Sequence, residues 1–442
     1  MHMHEAFQRL LDVRRDERMP VLLSGAFFFC ILTALMVLRP ARDALGLAHG
    51  IETVRWLFIG TALVTLAANP VFGWLVSRLR RLAFVTTTYV FFAASLGGFY
   101  VLLVFAPAAV GVASGQVFYV WYSVANLFVT MLFWALMADC FSLEQARRLF
   151  ALIAVGGTLG AIFGPWLASM LARPLGTPAL LLVSIGFLLL ATALAWALAR
   201  TRAWHGHAAG DHGDGHARIG GSAWQGFKAV FRSPYLAGIA GYVVLMTVMS
   251  TFLYFTRLHL VATLGDDTDL RASVFARIDL ATQTATLLLQ ALIAGRLMRR
   301  WGVHVVLALL PVTALLGFVG LALVGSLAAL VAFEATFRAI QRALTRPARE
   351  TLYTVVSRED KYKSKAFIDT FVYRGGDVVG AQLEGGLARL GLGLGALASV
   401  TLPLALAWAA LGLWLGRRQQ QLAARGHTAA RDSSPAQHGS TP

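Results

Sequence analysis

Long apolar segments recur along the whole chain, and they restrict the possible folds more than any other feature of the sequence. A helix that crosses a bilayer needs about 20 mostly apolar residues. Twelve such segments, numbered as spans 1 to 12, are residues 20–38, 54–76, 82–105, 112–139, 147–172, 178–199, 234–256, 272–296, 303–324, 326–346, 364–388 and 392–416. They are too long for the strands of a membrane barrel and lack the alternation of such strands. The pattern therefore predicts transmembrane helices.

The composition favours a membrane protein for the same reason. Hydrophobic residues make up 57% of the 442 residues and charged residues only 14%, whereas a soluble domain carries roughly 25% charged residues. A soluble fold would leave large apolar patches exposed to water. The formal net charge of +16 does not indicate a nucleic-acid partner, because the basic residues are spread over the gaps between spans.

The distribution of basic residues predicts the topology. With the N-terminus in the cytoplasm, the inside segments contain 28 of the 38 lysines and arginines, and the outside segments contain seven. This excess predicts that both termini are cytoplasmic. Residues 1–19 contain four arginines and are predicted to form a cytoplasmic amphipathic segment rather than a cleaved signal peptide.

The middle and the end of the chain differ from the rest. Residues 200–233 are rich in Gly and His and predict a flexible cytoplasmic linker. It divides the chain into an N-terminal six-helix bundle at 20–199 and a C-terminal one at 234–416, and residues 417–442 predict a disordered tail. The linker histidines are irregularly spaced, so we expect a spacer and neither a metal nor a cofactor. They are His205, His207, His212 and His216.

The two halves contain similar arginine-rich loops. Gly73 lies near the end of span 2 and is followed by Arg78 and Arg81, and Gly295 lies near the end of the corresponding span 8 and is followed by Arg300. A charged segment with Glu144, Arg147 and Arg148 precedes span 5, as a lysine-rich one precedes span 11. A tandem repeat of six-helix units is typical of secondary transporters.

These loops resemble a motif of the major facilitator superfamily, Gly-x-x-x-Asp-Arg-x-Gly-Arg-Arg. Ser77 and Arg80 replace the Asp and the second Gly in the first copy, and Arg299 replaces the Asp in the second. The resemblance implies twelve transmembrane helices in two pseudo-symmetric six-helix bundles and a gating role for the loops. The implied gating residues are Gly73, Arg78, Arg81, Glu144, Arg147, Arg148, Gly295 and Arg300.

Three segments also resemble the bacterial ATP/ADP (NTP/NDP exchange) carriers. They are Leu38 to Asp43, residues 133–150, and residues 346–377, which end in Tyr373-Arg374-Gly375-Gly376-Asp377. This resemblance implies a multi-pass protein of the bacterial inner membrane and a nucleotide-like substrate.

Charged residues within spans identify a candidate site. A charge at a helix centre costs at least about 2.5–3.5 kcal/mol in hydrocarbon, so it normally faces a cavity or a partner. Spans 3, 6, 9 and 12 carry none in their interiors, as expected of lipid-facing helices. The charges instead follow span 1, beside Pro40, or lie in spans 8, 10 and 11. They are Arg39, Arg42, Asp43, Arg277, Asp279, Glu334, Arg338, Asp369, Arg374 and Asp377.

The arginines of this set predict an anionic substrate. Guanidinium groups bind carboxylate or phosphate with two parallel hydrogen bonds, so we expect Arg39, Arg42, Arg277, Arg338 and Arg374 to bind a small organic anion in a central cavity. The carboxylates are predicted to form ion pairs or to couple transport to protons, because desolvation favours their protonated form. These are Asp43, Asp279, Glu334, Asp369 and Asp377. The alternative is that the charges only satisfy one another, as in pairs Glu334–Arg338 and Arg374–Asp377.

The predicted function is secondary active transport by alternating access, with exchange or proton coupling. An ATP-binding Gly-x-x-x-x-Gly-Lys-Ser/Thr motif is absent from the sequence, and no catalytic constellation indicates an enzyme. An efflux pump for amphipathic compounds and a non-transporting scaffold or sensor remain alternatives. We expect a monomer whose basic loop, 342–365, contacts anionic lipids at the cytoplasmic face. Glu144 is expected to pair with a basic residue of the other half as an inside gate.

Two further patterns predict helix packing. Gly156, Gly157, Gly160 and Gly164 in span 5 are spaced so that a neighbouring helix can approach closely. Span 4 is rich in aromatic residues, which indicates either ordinary packing or a platform for stacking a nucleobase.

Overall fold

The computed structural model describes residues 14, 16–78, 81–201, 223–391 and 394–432. Within these ranges the chain is helical throughout, without β-strands. The predicted amphipathic segment before residue 14, the His-rich part of the linker and the end of the tail lie outside the described residues.

Six long helices account for spans 1 to 6. They are α1 (Arg18–Leu47), α2 (Ile51–Arg78), α3 (Arg81–Phe105), α4 (Ala108–Cys140), α5 (Leu143–Leu175) and α6 (Ala179–Ala199). Helix α1 continues through Pro40 for nine residues beyond the predicted end of span 1 at residue 38. Proline is tolerated in transmembrane helices where neighbouring groups satisfy the freed carbonyl. Arg39, Arg42 and Asp43 therefore belong to the helix itself and not to a loop.

The second half of the chain begins with a short amphipathic helix, α7 (Ala223–Arg232), inside the range predicted as linker. It is followed by α8 (Pro234–Ala262), α9 (Thr268–Leu289), α10 (Gly295–Val324), α11 (Leu327–Ile340), α12 (Arg346–Leu352), α13 (Arg358–Phe367), α14 (Tyr373–Arg389) and α15 (Leu394–Asp432). Helix α10 is kinked at Gly302, where φ is 73°, a backbone conformation that favours glycine.

Nine helices in the described part of the chain are long and apolar enough to cross a membrane, namely α1 to α6, α8, α10 and α15. Spans 8, 10 and 11 are the three that fall outside this group. Each contains one π-helical turn, at Gln290–Ala294, Gln341–Thr345 and Ile368–Val372. Such turns are rare and occur frequently at functional sites, and these three spans carry most of the charges predicted to lie within the membrane.

The chain packs as two compact units that differ from the two predicted halves. The first contains residues 1–215 together with 257–284, and the second contains 216–256 together with 285–442. The segment Arg257–Thr284 consists of the end of α8, the turn that follows and most of α9. It is called the α8–α9 hairpin below. It belongs to the first unit although its sequence lies in the second half.

Close contact between α1 and α5 organises the first unit and confirms the packing predicted from the span 5 glycines. A methyl group added at Gly156 would overlap the Gly25 carbonyl oxygen, and one at Gly160 would overlap that of Phe29. Larger side chains cannot fit at either position, because the two backbones are almost in contact.

Glycines also permit close packing in the second unit. A methyl group at Gly376 of α14 would overlap the Thr247 hydroxyl of α8, whereas Gly375 has open space. Gly416 of α15 similarly meets His304 of α10. Helix α15 continues to Asp432, well past the predicted start of the tail at residue 417, because Ala, Gln and Arg in this region are good helix formers.

Candidate functional site

A basic cavity of about 510 Å³ lies within the second unit. Its walls come from α8, α11, α12, α13 and α14 and from the π-turns at Gln341–Thr345 and Ile368–Val372. The lining residues are Met246, Arg338, Gln341, Arg342, Thr345, Arg346, Arg349, Glu350, Lys365, Asp369, Tyr373 and Arg374. Six of these residues are cationic and two are acidic, so the cavity is strongly positive.

Four of the arginines form a row along span 10 and the helix α12 that continues from it. Arg338, Arg342, Arg346 and Arg349 are separated by four, four and three residues, a spacing that places side chains on one helical face. The π-turn Gln341–Thr345 lies in the middle of this row. The row therefore extends the cavity lining along the helix, so that several cations can face one ligand.

Polar contacts position Arg338 at one end of the row. Its guanidinium donates to the Gln341 side-chain oxygen at 3.2 Å and to the Ser250 carbonyl oxygen at 3.4 Å. Gln341 in turn donates to the Ser250 hydroxyl at 3.2 Å. These contacts tie α11 to α8 and restrict the rotamer of Arg338, which favours binding because less side-chain entropy is lost.

Two ion pairs cross the other end of the cavity. Arg349 of α12 contacts Asp369 of the neighbouring π-turn at 3.1 Å, and Lys365 contacts Glu350 at 2.5 Å. The two pairs neutralise Arg349 and Lys365. The other four cations of the lining leave the cavity with an excess of positive charge. The structure thus brings Arg338, Arg374 and Asp369, which the sequence predicts as site residues, around one cavity.

The ion pairs predicted as an alternative are also present. Arg338 lies 3.8 Å from Glu334, and Arg374 lies 3.6 Å from Asp377. Glu334 is almost fully buried, and Arg374 is partly exposed. Both arginines line the cavity while making these contacts, so ion pairing and ligand binding are compatible in this geometry. The assignment of these residues to substrate binding or coupling stays a prediction.

A second charge cluster lies within the first unit, and we call Arg39, Arg42, Asp43, Arg257 and Asp279 the hairpin cluster. Arg257 of α8 forms ion pairs with Asp43 of α1 and, at 3.3 Å, with Asp279 of α9. Arg39 approaches Asp279 at 3.4 Å. The side chains of Asp43 and Arg257 are completely buried, so their charges interact with little screening by solvent.

Aromatic rings of α4 support this cluster. The Arg42 guanidinium lies 4.8 Å from the centre of the Tyr119 ring and 5.0 Å from that of Tyr122, distances typical of cation–π contacts. Tyr122 also donates to the Leu35 carbonyl oxygen at 2.9 Å. Further along α4, Phe133 stacks on Phe28 of α1 at 4.2 Å. These aromatic residues of span 4 therefore serve helix packing and arginine contacts.

The structure places one arginine of the second half differently from the sequence prediction and leaves another exposed. The sequence predicts an outside loop for Arg257, because span 7 ends at residue 256, but α8 continues to Ala262 and buries this arginine. Arg277 is exposed, and no ion pair of its side chain is observed among the described residues, so its predicted substrate binding stays a prediction. A lone arginine directly after an apolar run is the signal in the sequence that could have identified Arg257.

Two hydrogen bonds fasten the turn of the α8–α9 hairpin to the first unit. The backbone N–H and the hydroxyl of Thr177 both donate to the Asp269 carboxylate, at 2.6 and 2.7 Å. Thr177 precedes α6, and Asp269 lies in the first turn of α9. The hairpin is therefore held at its turn as well as at the hairpin cluster.

The start of α5 forms a local network with Glu17. Ser142 and Gln145 make a capping box, and Gln145 and Arg148 contact the Glu17 carboxylate at 3.1 and 2.9 Å. Burial alone raises the pKa of Glu17, but hydrogen bonds from the Arg14 backbone, Gln145 and Arg148 outweigh it and hold the pKa below its usual value.

Two of the other predicted gating residues, Glu144 and Arg300, lie at the surface of the protein. Glu144 pairs with Arg14 at 3.8 Å, within the same unit, and its expected pairing with a basic residue of the other half stays a prediction. Both side chains are exposed, so the pair is weak. Arg300 is exposed. The side-chain surroundings of Gly73, Arg78, Arg81, Arg147 and Gly295 lie outside what the structure describes.

Metal binding has no support in the described part of the chain, where no group of three or more His, Cys, Asp or Glu side chains converges. The four linker histidines fall outside it.

A helical bundle of long apolar segments, with a charged cavity among its interrupted helices, defines a multi-pass membrane transporter fold. The chain belongs to the Major Facilitator Superfamily, whose family model matches residues 21–341. This confirms the superfamily resemblance of the arginine loops, whereas the finer resemblance to ATP/ADP carriers stays a prediction. No curated protein sequence matches the chain.

Solved transporter structures share this fold at low sequence identity. A mutant form of the nucleoside transporter NupG is 11% identical, with a TM-score of 0.62, over 91% of this chain and 99% of that one. A bacterial homolog of the human lysosomal transporter Spinster is 11% identical, with a TM-score of 0.61, over 92% and 98%. A D-xylose–proton symporter is 13% identical, with a TM-score of 0.59, over 91% and 96%. At such identities the likeness concerns the fold alone.

Proposed function

We propose that this protein is a secondary active transporter that moves a small organic anion by alternating access. The observation that carries the proposal is the cavity of about 510 Å³ lined by six cationic and two acidic residues. A cavity of this charge attracts anions and repels cations, which disfavours the alternative of an efflux pump for cationic amphipaths. A scaffold or sensor without transport has no need for a large, strongly positive cavity, because mutual repulsion among its cations is costly to maintain.

The row of arginines suits a ligand with more than one anionic group. Arginine binds carboxylate and phosphate with paired hydrogen bonds, and Arg338, Arg342 and Arg346 lie successively along one face. The resemblance to ATP/ADP carriers makes a nucleotide-like compound our first choice of substrate. Di- and tricarboxylates and sugar phosphates meet the same charge requirement and belong in any substrate panel.

Alternating access assigns a role to the α8–α9 hairpin. In transporters built from two repeats, one bundle moves against the other around a fixed site. The hairpin is joined through the chain to helices of the second unit but packs in the first. We propose that its contacts at Asp43, Arg257, Asp279 and Asp269 form an outer gate, which separates during each transport cycle.

Uptake into proteoliposomes tests the proposal. We expect uptake of labelled organic anions, and we expect Arg338→Ala and Arg374→Ala each to reduce it to background, because each removes a cation from the cavity. Arg173→Ala is the matched control, since Arg173 is an exposed arginine of α5 outside the cavity. Full uptake by both cavity variants, or transport of cations only, would contradict the proposal.

The same vesicles distinguish exchange from proton coupling. Exchange requires substrate preloaded inside the vesicles and is unaffected by a protonophore. Proton coupling works with empty vesicles, follows an imposed pH gradient and is abolished by a protonophore. Asp377→Asn, close to Arg374, is expected to remove the pH dependence only in the second case.

A further inference from the structure

A second cavity of about 510 Å³ lies in the second unit, beside the end of the last apolar helix. It is formed by the start of α8, the 3₁₀ turn Tyr353–Val355 and α15. Its lining residues are Ser233, Pro234, Tyr235, Val355, Val356, Trp414, Arg417, Arg418, Gln421 and Leu422. It shares no lining residue with the basic cavity, so it is a separate site.

The position of this cavity coincides with the membrane boundary that the sequence predicts. Predicted span 12 ends at residue 416, and Arg417 and Arg418 follow directly. Trp414 lies one turn earlier and is 42% exposed. Tryptophan prefers the headgroup level of a bilayer, and arginines directly beyond an apolar segment lie among the headgroups. The cavity therefore opens where the phosphate and glycerol groups of a lipid are found.

The lining has the two-sided chemistry of an amphiphile. Arg417, Arg418 and Gln421 provide polar donors, and none of the described lining residues is an acid that would neutralise the two cations. Apolar surface comes from Pro234, Val355, Val356 and Trp414. A small polar anion bound here would leave this apolar surface without a matching apolar contact.

The walls are held together independently of any ligand. The Tyr235 hydroxyl donates to the Leu352 carbonyl oxygen at 2.9 Å, and Gln419 donates to the Thr351 carbonyl oxygen at 2.9 Å. These bonds tie α8 and α15 to the end of α12. The cavity is consequently a preformed site, and a ligand does not have to organise it.

We propose that this cavity binds an anionic phospholipid, with the phosphate at Arg417 and Arg418 and the glycerol and acyl groups against Trp414 and Val356. Val355 and Val356 belong to the loop 342–365, for which the sequence predicts lipid contact, but none of the basic residues of that loop lines this cavity. The predicted topology places it at the cytoplasmic leaflet, where a negatively charged surface attracts arginine.

Native mass spectrometry of the detergent-solubilised full chain tests the proposal with phosphatidylglycerol and phosphatidylcholine as probes. We expect the wild type to retain one phosphatidylglycerol molecule in preference to phosphatidylcholine. The double variant Arg417→Ala/Arg418→Ala is expected to retain at least about tenfold less, because each arginine contributes to attraction of the phosphate. The control Arg173→Ala/Arg389→Ala removes the same charge elsewhere and is expected to retain wild-type levels. Equal loss in both double variants would overturn the proposal.

Two further measurements address folding and the identity of the ligand. Phosphatidylglycerol brominated on its acyl chains should quench the fluorescence of wild-type protein more than that of Trp414→Phe, a readout that does not depend on the arginine variants folding. Equal quenching of both proteins would overturn the proposal. Displacement of the lipid by millimolar inorganic phosphate would show a site for free phosphate and overturn it as well, whereas lipid retention in phosphate supports it.

Discussion

Buried charge is the main feature of this protein at the scale of single residues. Asp43 and Arg257 are completely buried and paired, and Asp279 completes the contact. Taking two ions out of water costs several kcal/mol each, and their attraction repays that cost only while both partners are present. Such a pair stabilises one arrangement of helices and at the same time makes the arrangement sensitive to loss of either charge.

Loss of both partners of this pair should cost less stability than the two separate losses added together. We expect Asp43→Ala to destabilise the protein by about 3–5 kcal/mol, because Arg257 is left buried with less compensation. The double variant Asp43→Ala/Arg257→Ala should be less destabilised than the sum of the two single variants, since the pair is in direct contact. Melting temperatures in one detergent provide the comparison, and strict additivity would contradict this account.

At the scale of helices, glycine determines which elements can touch. The α1–α5 contact depends on Gly156 and Gly160, whose missing side chains let the Gly25 and Phe29 carbonyl oxygens approach within about van der Waals distance of the α5 backbone. The charged spans follow a different rule. Spans 8, 10 and 11 contain π-turns, and two of these turns contribute residues to the basic cavity.

A pair of glycine-to-alanine substitutions tests the packing argument. Gly160→Ala should destabilise the protein by about 1–3 kcal/mol, the usual penalty for overpacking, because the new methyl group would overlap the Phe29 carbonyl oxygen. Gly97→Ala in α3 meets nothing within 4 Å. It should be neutral or stabilising by up to about 1 kcal/mol, through higher helix propensity.

Thermal unfolding of the two variants under identical conditions gives the measurement. A melting temperature for Gly160→Ala equal to that of Gly97→Ala would show that α1 and α5 are less closely packed than the structure indicates.

At the scale of the whole molecule, the compact units and the sequence halves do not coincide. The α8–α9 hairpin packs in the first unit, while the chain on both sides of it belongs to the second. Its attachment is specific, since Thr177 donates two hydrogen bonds to Asp269 and Arg257 bridges two carboxylates. If transport requires the hairpin to separate, preventing that separation must stop transport.

A reversible cross-link tests this requirement. The Thr177 hydroxyl and the Asp269 carboxylate are 2.7 Å apart, so Thr177→Cys/Asp269→Cys is expected to form a disulfide after oxidation. Cys30 and Cys140 are the two cysteines of the sequence and both are buried, and replacing both with Ala removes competing thiols. We expect oxidation to stop uptake of the labelled substrate and reduction to restore it.

The two single-cysteine variants, treated in the same way, control for effects of the oxidant and of the lost hydrogen bonds. Undiminished uptake by the fully cross-linked protein would exclude a gating role for the hairpin.

Much of the architecture is determined by the sequence alone, because the hydrophobicity of a helix is a sum over neighbouring residues. The apolar runs predict the helices, and the absence of charge from spans 3, 6, 9 and 12 distinguishes them from spans that carry Arg277, Arg338 or Arg374. Convergence of Arg338, Arg374 and Asp369 on one cavity follows from the cost of a charge in hydrocarbon. This cost is a property of each residue and is independent of its eventual partner.

The choice of partners was decided only by the tertiary structure. Asp43 and Arg257 are 214 positions apart, and although the position of Arg257 directly after an apolar run marks it as unusual, no local pattern identifies Asp43 of α1 as its partner. Arg277, an equally plausible candidate by sequence, is exposed. Which charges meet depends on the length of α8 beyond the apolar run and on the rotation of three helices about their axes. Both are set by packing between distant segments, and neither is encoded in the spacing of any one span.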